Sequence, residues 1–544
     1  MRFVAFAAAL AVALSACTQV AQGPSASGGR HPWTKPDDLR IAIHTDVKNL
    51  NELLSSDTTD TFVDRFMFEP LLSADPKGNP VPMLATQVPT LENGGISRDG
   101  LTITYHLRPN AKWTDGVPVS SKDVKFSWQT IMNPNTNVVS RHGYDYIRSI
   151  DTPDDTTVVV HLKEKFSPFV NTFFAESDQP YAVLPAHVLA SYPNVNQIPF
   201  DSAPTVSDGP FKFVSWSRGD AIVLERNDGF FMGRPKLARI EIKIVPDENT
   251  SANLLKTHDI DWIYQPSITV YNATKSIPGT KLVWVDVNGY EDIQLNTQHP
   301  PLNDVRVRQA VAYAINKQAL IDTLTFGRDR IATEDLPYWM WAHNPGIKPW
   351  AQNVSKAREL LQQAGFTPGP DGIMQKNGTR LNLVLVTNPS NVTRRNAAVQ
   401  IQSMLRQAGI DATVKSYPSD VLFAPAGEGG ILQLGNFDLS LAGWYAGIDP
   451  DDSSQLMKQN WPPGGYNYSR YYSPDMEAAQ KIALSSYDRP TRQKAYYRIQ
   501  ELLERDEPMI FEWYTSQFHP INDDFKGFAP NPVSEGWNAW QWSI

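Results

Sequence analysis

A lone cysteine, Cys17, serves a chain of 544 residues, which excludes any disulfide within one chain and any cluster of thiolates around a metal. Long apolar runs are as scarce. Phe3 to Leu14 is the longest, and it falls short of the roughly 20 residues that a membrane-spanning helix needs. Basic charge is in deficit: 49 Lys and Arg face 58 Asp and Glu, a formal net charge of -9, so there is no electrostatic footprint for nucleic acid and little for an anionic membrane surface. The common catalytic signatures are missing too. The chain contains no His-Glu-x-x-His, no phosphate loop ending in Gly-Lys-Ser/Thr, no Gly-x-Ser-x-Gly and no Gly-x-Gly-x-x-Gly. Its 10 histidines include no close pair at ligand spacing, so neither a resident metal nor another cofactor is expected. No internal repeat is present.

What is there describes an exported globular body. Hydrophobic residues at 41% and charged ones at 20% support packed cores, and this length exceeds one core, so two or three units are expected. Arg2 precedes the apolar run, and Leu14-Ser15-Ala16-Cys17 resembles the bacterial lipobox, in which the signal is cut before a cysteine that then receives lipid. Residues 1–16 therefore read as a lipoprotein signal peptide. Residues 17–35 read as the lipidated Cys17 followed by a flexible Ala, Gln, Ser, Gly and Pro tether.

The periodicity alternates between strand and helix. Strand patterns occur at Leu39 to Thr45, Leu101 to Leu107, Thr156 to Leu162, Ala221 to Glu225 and Arg239 to Val245. A helix is expected from Thr59 to Leu71, and another opens on a capping box at Ser120 to Asp123. Lys281 to Val285 and Glu291 to Leu295 flank Asn288-Gly289, a pair suited to a turn. Beyond it the helices lengthen, with caps expected at Asn303 and Ser355. Leu381 to Val386, the helix Asn391 to Ala408 and Ala412 to Tyr417 make a β-α-β crossover, the mark of an α/β domain.

One stretch promises side chains for a ligand. Phe437, Leu439 and Leu441 alternate with polar or small residues, and Gly443 is expected to break the strand before Trp444-Tyr445 and an acidic turn at Asp449, Asp451 and Asp452. Trp339 and Trp341 occupy another Pro/Gly-rich loop, and with 15 tryptophans in the chain such aromatics suit the walls of a cleft as well as local packing.

Several segments resemble family 5 of the bacterial extracellular solute-binding proteins, the dipeptide-, oligopeptide- and nickel-binding components of ABC importers. They are Ser97 to Arg108, Trp113-Thr114-Asp115-Gly116 with Lys122-Asp123-Val124, the turn Asp208-Gly209-Pro210-Phe211, Glu225-Arg226-Asn227 and the helix Val305 to Ile315. The resemblance implies a bilobal α/β fold of the periplasmic-binding-protein type 2 with an extra inserted subdomain. The expected division is lobe I at 36–80, 205–288 and 514–544, the inserted subdomain at 81–204, and lobe II at 289–513.

It also implies a monomeric, non-enzymatic binding protein that captures a peptide or small molecule between its lobes and delivers it to a membrane permease. Trp444 matches the family's ligand-facing tryptophan, with Tyr445, Asp449, Trp339 and Trp341 as further candidate contacts. Peptide-binding relatives carry an aspartate three residues after that tryptophan, which pairs with the peptide ammonium, whereas this chain has Gly447 there. A ligand with a free amine then needs another acid, and Asp449 is the nearest. A sugar, an opine-like compound or a metal chelate is the alternative ligand. A hydrolase using the acidic turn is the alternative function.

Overall fold

The computed structural model describes residues 29–544 except 56–57, 178–179, 390 and 464. The expected signal peptide and the expected lipidation site Cys17 lie outside the described residues. A mixed sheet runs through the whole molecule. Its strands lie in the order Asp411–Ser416, Asn382–Thr387, Leu439–Tyr445, Thr280–Leu295, Met509–Asn522, Trp262–Ile263, Asp38–Ile43, Arg239–Ile244, Ala221–Arg226 and Phe211–Ser217.

Two of these strands are long. Thr280–Leu295 has 16 residues and Met509–Asn522 has 14, against about 5–6 in an ordinary strand, so each passes through two bodies in turn. They pair antiparallel from Thr280↔Asn522 to Asp286↔Ser516 and again from Tyr290↔Tyr514 to Gln294↔Met509. Between the two runs, Val287, Asn288 and Gly289 face Thr515 alone. Trp262↔Ile521 attaches the N-terminal strands to one end, and Leu439–Tyr445 attaches the later ones to the other.

The cores divide at the same place. One buried cluster joins Leu39, Ile41, Ile240, Ile242 and Trp262 to Phe525, Trp542 and Ile544 from the chain's end. Two others are built from residues between Tyr290 and Tyr514. The molecule is thus two lobes joined by the long strands. The small antiparallel sheet of Thr102–His106, Thr157–Leu162 and Ile147–Asp154 has no separate core, because Ile103, Tyr105, Val158 and Val160 belong to the first cluster.

Local chemistry explains where the elements start and stop. Ile240, Ile242 and Ile244 alternate inward against Arg239, Glu241 and Lys243, and this strand pairs in parallel with Asp38–Ile43 over its whole length. The capping box is present, with the Ser120 N–H donating to the Asp123 carboxylate at 2.7 Å.

Four expectations need correction. Asn288-Gly289 is no turn but an irregularity within a continuous strand. The helix expected from Thr59 ends at Asp64, because the Phe66 and Met67 carbonyls accept from Phe211 and Gly209 instead of from a next turn. The caps are Asp304 and Asn353, whose side chains accept from Arg306 N and Lys356 N, rather than Asn303 and Ser355. Gly443 does not break its strand, which continues to Tyr445. A side chain there would sit 2.4 Å from the Arg394 guanidinium and 2.7 Å from Glu291, which form a buried pair across it.

A second buried pair fastens the first lobe. Arg40 Nε and Nη2 donate to Asp261 at 2.8 and 2.9 Å, and Asn522 Nδ2 donates to the same carboxylate at 2.9 Å. Three neighbouring strands are thereby tied to one buried carboxylate. Asp261→Ala leaves Arg40 buried without its partner, a loss of about 3–5 kcal/mol. Denaturant melts followed by tryptophan fluorescence are expected to show the first lobe unfolding early, and a change under about 1 kcal/mol would contradict this role.

Candidate ligand-binding cleft

Where the pairing of the long strands lapses, the lobes face each other across two cavities. One, of about 280 Å³, is bounded by Thr58, Thr61, Phe62, Arg65 and Tyr264 of the first lobe, Tyr445 and Ala446 of the second, and Asn531–Glu535 of the C-terminal tail. The other, of about 630 Å³, lies between Asp247–Val270 on one side and Glu291, Arg328, Asp329 and Asn391–Thr393 on the other. Gln265, Tyr445 and Gln517 belong to both walls, so the two are compartments of one cleft.

Strand alternation sets what the Leu439–Tyr445 end displays. Leu439 and Leu441 are fully buried in the second lobe, and the strand's last residue, Tyr445, is 46% exposed at the junction of the compartments. Trp444 points to the opposite face. It packs edge-on to Tyr466 at 5.5 Å and against the core around Tyr290, and lines neither compartment.

The remaining candidates surround the site without lining it. Trp341 lies 4.9 Å from the Arg489 guanidinium and edge-on to Tyr496. Trp339 borders a small crevice of about 10 Å³ beside Tyr338, and a Cβ at Gly78 would lie 3.4 Å from its ring. Asp449 is clamped by Arg492, whose two Nη atoms donate at 3.1 and 2.6 Å, and it also accepts from Asn171 at 3.2 Å. Asp451 pairs with His142 at 3.1 Å, and Asp452 accepts from Gln480 at 2.6 Å. Each acid of this turn thus has a structural partner.

Gly447 has its own reason to be small. A Cβ there would lie 2.5 Å from Ser177 Cα and 2.6 Å from the Glu176 carbonyl, because the loop after Tyr445 docks on the first lobe. Ile448 N donates to Glu176 O at 3.0 Å. Asn288 serves the same seam: its N–H donates to Pro532 O at 3.0 Å, its carbonyl accepts from Ala446 N at 2.8 Å, and its side-chain amide donates to the Gly447 carbonyl.

Sequence reasoning missed the ionisable wall of the smaller compartment. Arg65 stands in the apolar run Phe62-Val63-Asp64-Arg65-Phe66-Met67, and Glu176 follows Phe173-Phe174-Ala175. A charge inside a buried run was the available signal. Arg65 Nη2 lies 3.6 Å from Glu52 and 3.7 Å from Glu176, all three fully buried. Burial pushes the Glu52 carboxyl up to about 7 against the pull of Arg65. Burial also pushes Glu535 up to about 7, although it accepts from Gln265 at 2.8 Å. Asp64 and Glu69 are raised well above the usual carboxylate range by burial and by neighbouring acids.

Two lobes hinged on a strand pair around a cleft define a class, the solute-binding receptors that enclose a small ligand. The comparisons place the chain within that class. The model of the bacterial extracellular solute-binding proteins, family 5, matches residues 79–468. The oligopeptide-binding protein AppA of Bacillus subtilis is 27% identical over 98% of this chain and 96% of its own length. Its structure with a nonapeptide superimposes with a TM-score of 0.79 at 25% identity, covering 93% of this chain and 99% of that one. The glutathione-binding protein GsiB of Pectobacterium atrosepticum is 28% identical over 90% of this chain and 91% of its own. NikZ of Campylobacter jejuni, solved with Ni(L-His), gives a TM-score of 0.79 at 25% identity and covers 94% of this chain and 100% of that one. The chain belongs to family 5 of the bacterial extracellular solute-binding proteins. Members bind peptides or other small ligands outside the cytoplasm and pass them to an ABC importer. Among the described residues no helix is long and apolar enough to cross a membrane.

Two outcomes follow from this geometry. Gly447→Val sets a side chain against Ser177 and holds the lobes apart, so small-angle scattering is expected to give a larger radius of gyration than wild type; an unchanged radius would refute the docking role. The raised acids set the sign of a pH effect. Folded Glu52 and Glu535 keep protons that the unfolded chain has released, so their contribution to stability is present below pH 4.5 and is lost as pH rises to about 7. Melting curves of ligand-free protein from pH 5 to 8 are expected to show this decline, and Glu535→Gln to flatten it; an identical slope in the variant would show that Glu535 is not among the groups responsible.

Proposed function

We propose that this protein is the lipid-anchored receptor of an ABC importer and that its ligand is a short peptide captured between the lobes. The observation that carries the reading is the two-compartment cleft, whose parts of about 280 and 630 Å³ together have the size of a small-ligand site and not of an open protein-docking face. The relatives that bind an oligopeptide and glutathione support it. Ligand bound between the lobes favours the docked state because only there do both touch it, and the permease distinguishes that state. The receptor acts as a monomer, with lobe I at 36–80, 205–288 and 514–544, the inserted segment at 81–204 and lobe II at 289–513.

Tyr445 is the contact proposed from the second lobe. Trp444, Asp449, Trp339 and Trp341 support the cleft from behind. Export and lipidation at Cys17 tether the body to the outer face of a membrane through the segment ending near residue 35. A non-peptide solute is the second reading, favoured by the relative solved with a nickel–histidine complex.

Native mass spectrometry of freshly purified protein is expected to show a co-purified species of peptide mass, and a set of di- to pentapeptides to raise the melting temperature and reduce the radius of gyration. A bound species of another composition, with no peptide giving a shift, would replace the first reading by the second. Cys17→Ser is expected to release the protein from membrane fractions, and unchanged retention would refute the anchor.

A further inference from the structure

The smaller compartment carries more chemistry than peptide capture in general requires. Glu176 has 0% exposure and lies in its wall. Its Oε1 accepts from Ser73 at 2.6 Å, while its Oε2, 3.7 Å from Arg65 Nη2, has no hydrogen-bond donor among the described residues. Glu535, 7% exposed, stands in the same wall with one oxygen on Gln265. Gln517 Oε1 is a further buried acceptor without a donor among the described residues, in the wall shared by both compartments. Such acceptors are costly to bury unless something supplies the missing donors.

Charge points the same way. The walls of the two compartments hold Glu176, Glu535, Asp247, Glu248, Glu291 and Asp329 against Arg65 and Arg328. Of these acids, Glu291 is matched by Arg394 at 2.6 Å. Arg65 has donors to spare at Nε and Nη1, but its charge is flanked by Glu52 and Glu176, with Asp64 and Glu69 nearby, and an entering anion would meet Glu535 and Glu176. An entering cation meets them too, and finds the rings of Tyr264 and Tyr445 in the same wall.

We infer that the smaller compartment is a cation-selective subsite, in which Glu176 and Glu535 hold a primary ammonium or guanidinium of the solute. This rests on the solute-binding reading and deepens it. The acid that the strand end lacks at Gly447 is supplied from the other lobe and from the C-terminal tail. The proton that burial keeps on Glu535 is available to leave when the cation arrives, so the empty compartment is not held at full negative charge.

Matched probes test this by isothermal titration and thermal shift. Trialanine against N-acetyl-trialanine reads the peptide ammonium. N-acetyl-Ala-Lys-Ala against its norleucine counterpart reads a side-chain ammonium, and agmatine presents both cations without a peptide. At least one cationic member is expected to bind about tenfold or more tighter than its neutral partner, or agmatine to bind alone. Glu176→Gln and Glu535→Gln are each expected to reduce that preference or that binding severalfold, with the unliganded melting temperature checking the fold. Should Glu176→Gln fail to fold, Glu535→Gln carries the test. Peptides that bind with no preference for charge would remove the cation subsite and leave the function standing. Agmatine binding without any peptide would keep the subsite and remove the peptide reading. No binding by any cationic probe at about 10 mM, or a preference that survives both substitutions, would overturn the inference.

Discussion

Everything in this molecule depends on two antiparallel strands whose pairing lapses halfway along and then resumes. Where Val287, Asn288 and Gly289 face Thr515 alone, the backbone loses its regular ladder, and its polar groups must find partners elsewhere. Asn288 finds them on both sides, in the loop after Tyr445 and in Pro532 of the tail. The seam between the lobes therefore combines these backbone hydrogen bonds with the Gly447 contact and with the side-chain pairs of Asp449 with Asn171 and Asp451 with His142. Apolar contact is present as well, since Leu484 of the second lobe is buried in the first lobe's core and Tyr487 packs against it, so parting the lobes exposes these side chains.

A second constraint is electrostatic. The first lobe buries Glu52, Asp64, Glu69 and Glu176 close to a single guanidinium, with Asp208 beside Glu69, and most of these acids are raised by loss of water. That arrangement weakens the lobe as pH rises, and natural chains tolerate such a cost at binding sites. In the second lobe the acids at the strand end are matched one by one, so the same residue type serves as framework in one lobe and as wall in the other.

The strands of both lobes and the family were legible because they rest on local alternation and on segments such as Ser97 to Arg108. Trp444 was legible as an aromatic at a strand end, but pattern alone could not decide which of Trp444 and Tyr445 faces the cleft; that depends on which face of the strand looks toward the other lobe. Asp449 was visible as an acid near the site. Its partner Arg492 lies 43 positions away, and nothing in the spacing announces the pair. The acidic wall was the hardest to read, since Arg65, Glu176 and Glu535 come from three distant segments and meet only after the tail returns. Asn288-Gly289 misled for a different reason: residues suited to a turn also suit an irregular strand.

The tail that supplies Asn531 to Glu535 reaches the compartment only by lying against residues near Thr58 and Arg65, from the opposite end of the described chain. Contacts so far apart in sequence can form only once both segments are available to fold. An emerging, partly folded chain therefore has no finished cleft, and the capacity to hold a solute arrives with the last strand and the segment behind it. Competence to bind is in this sense a report that the whole body has assembled.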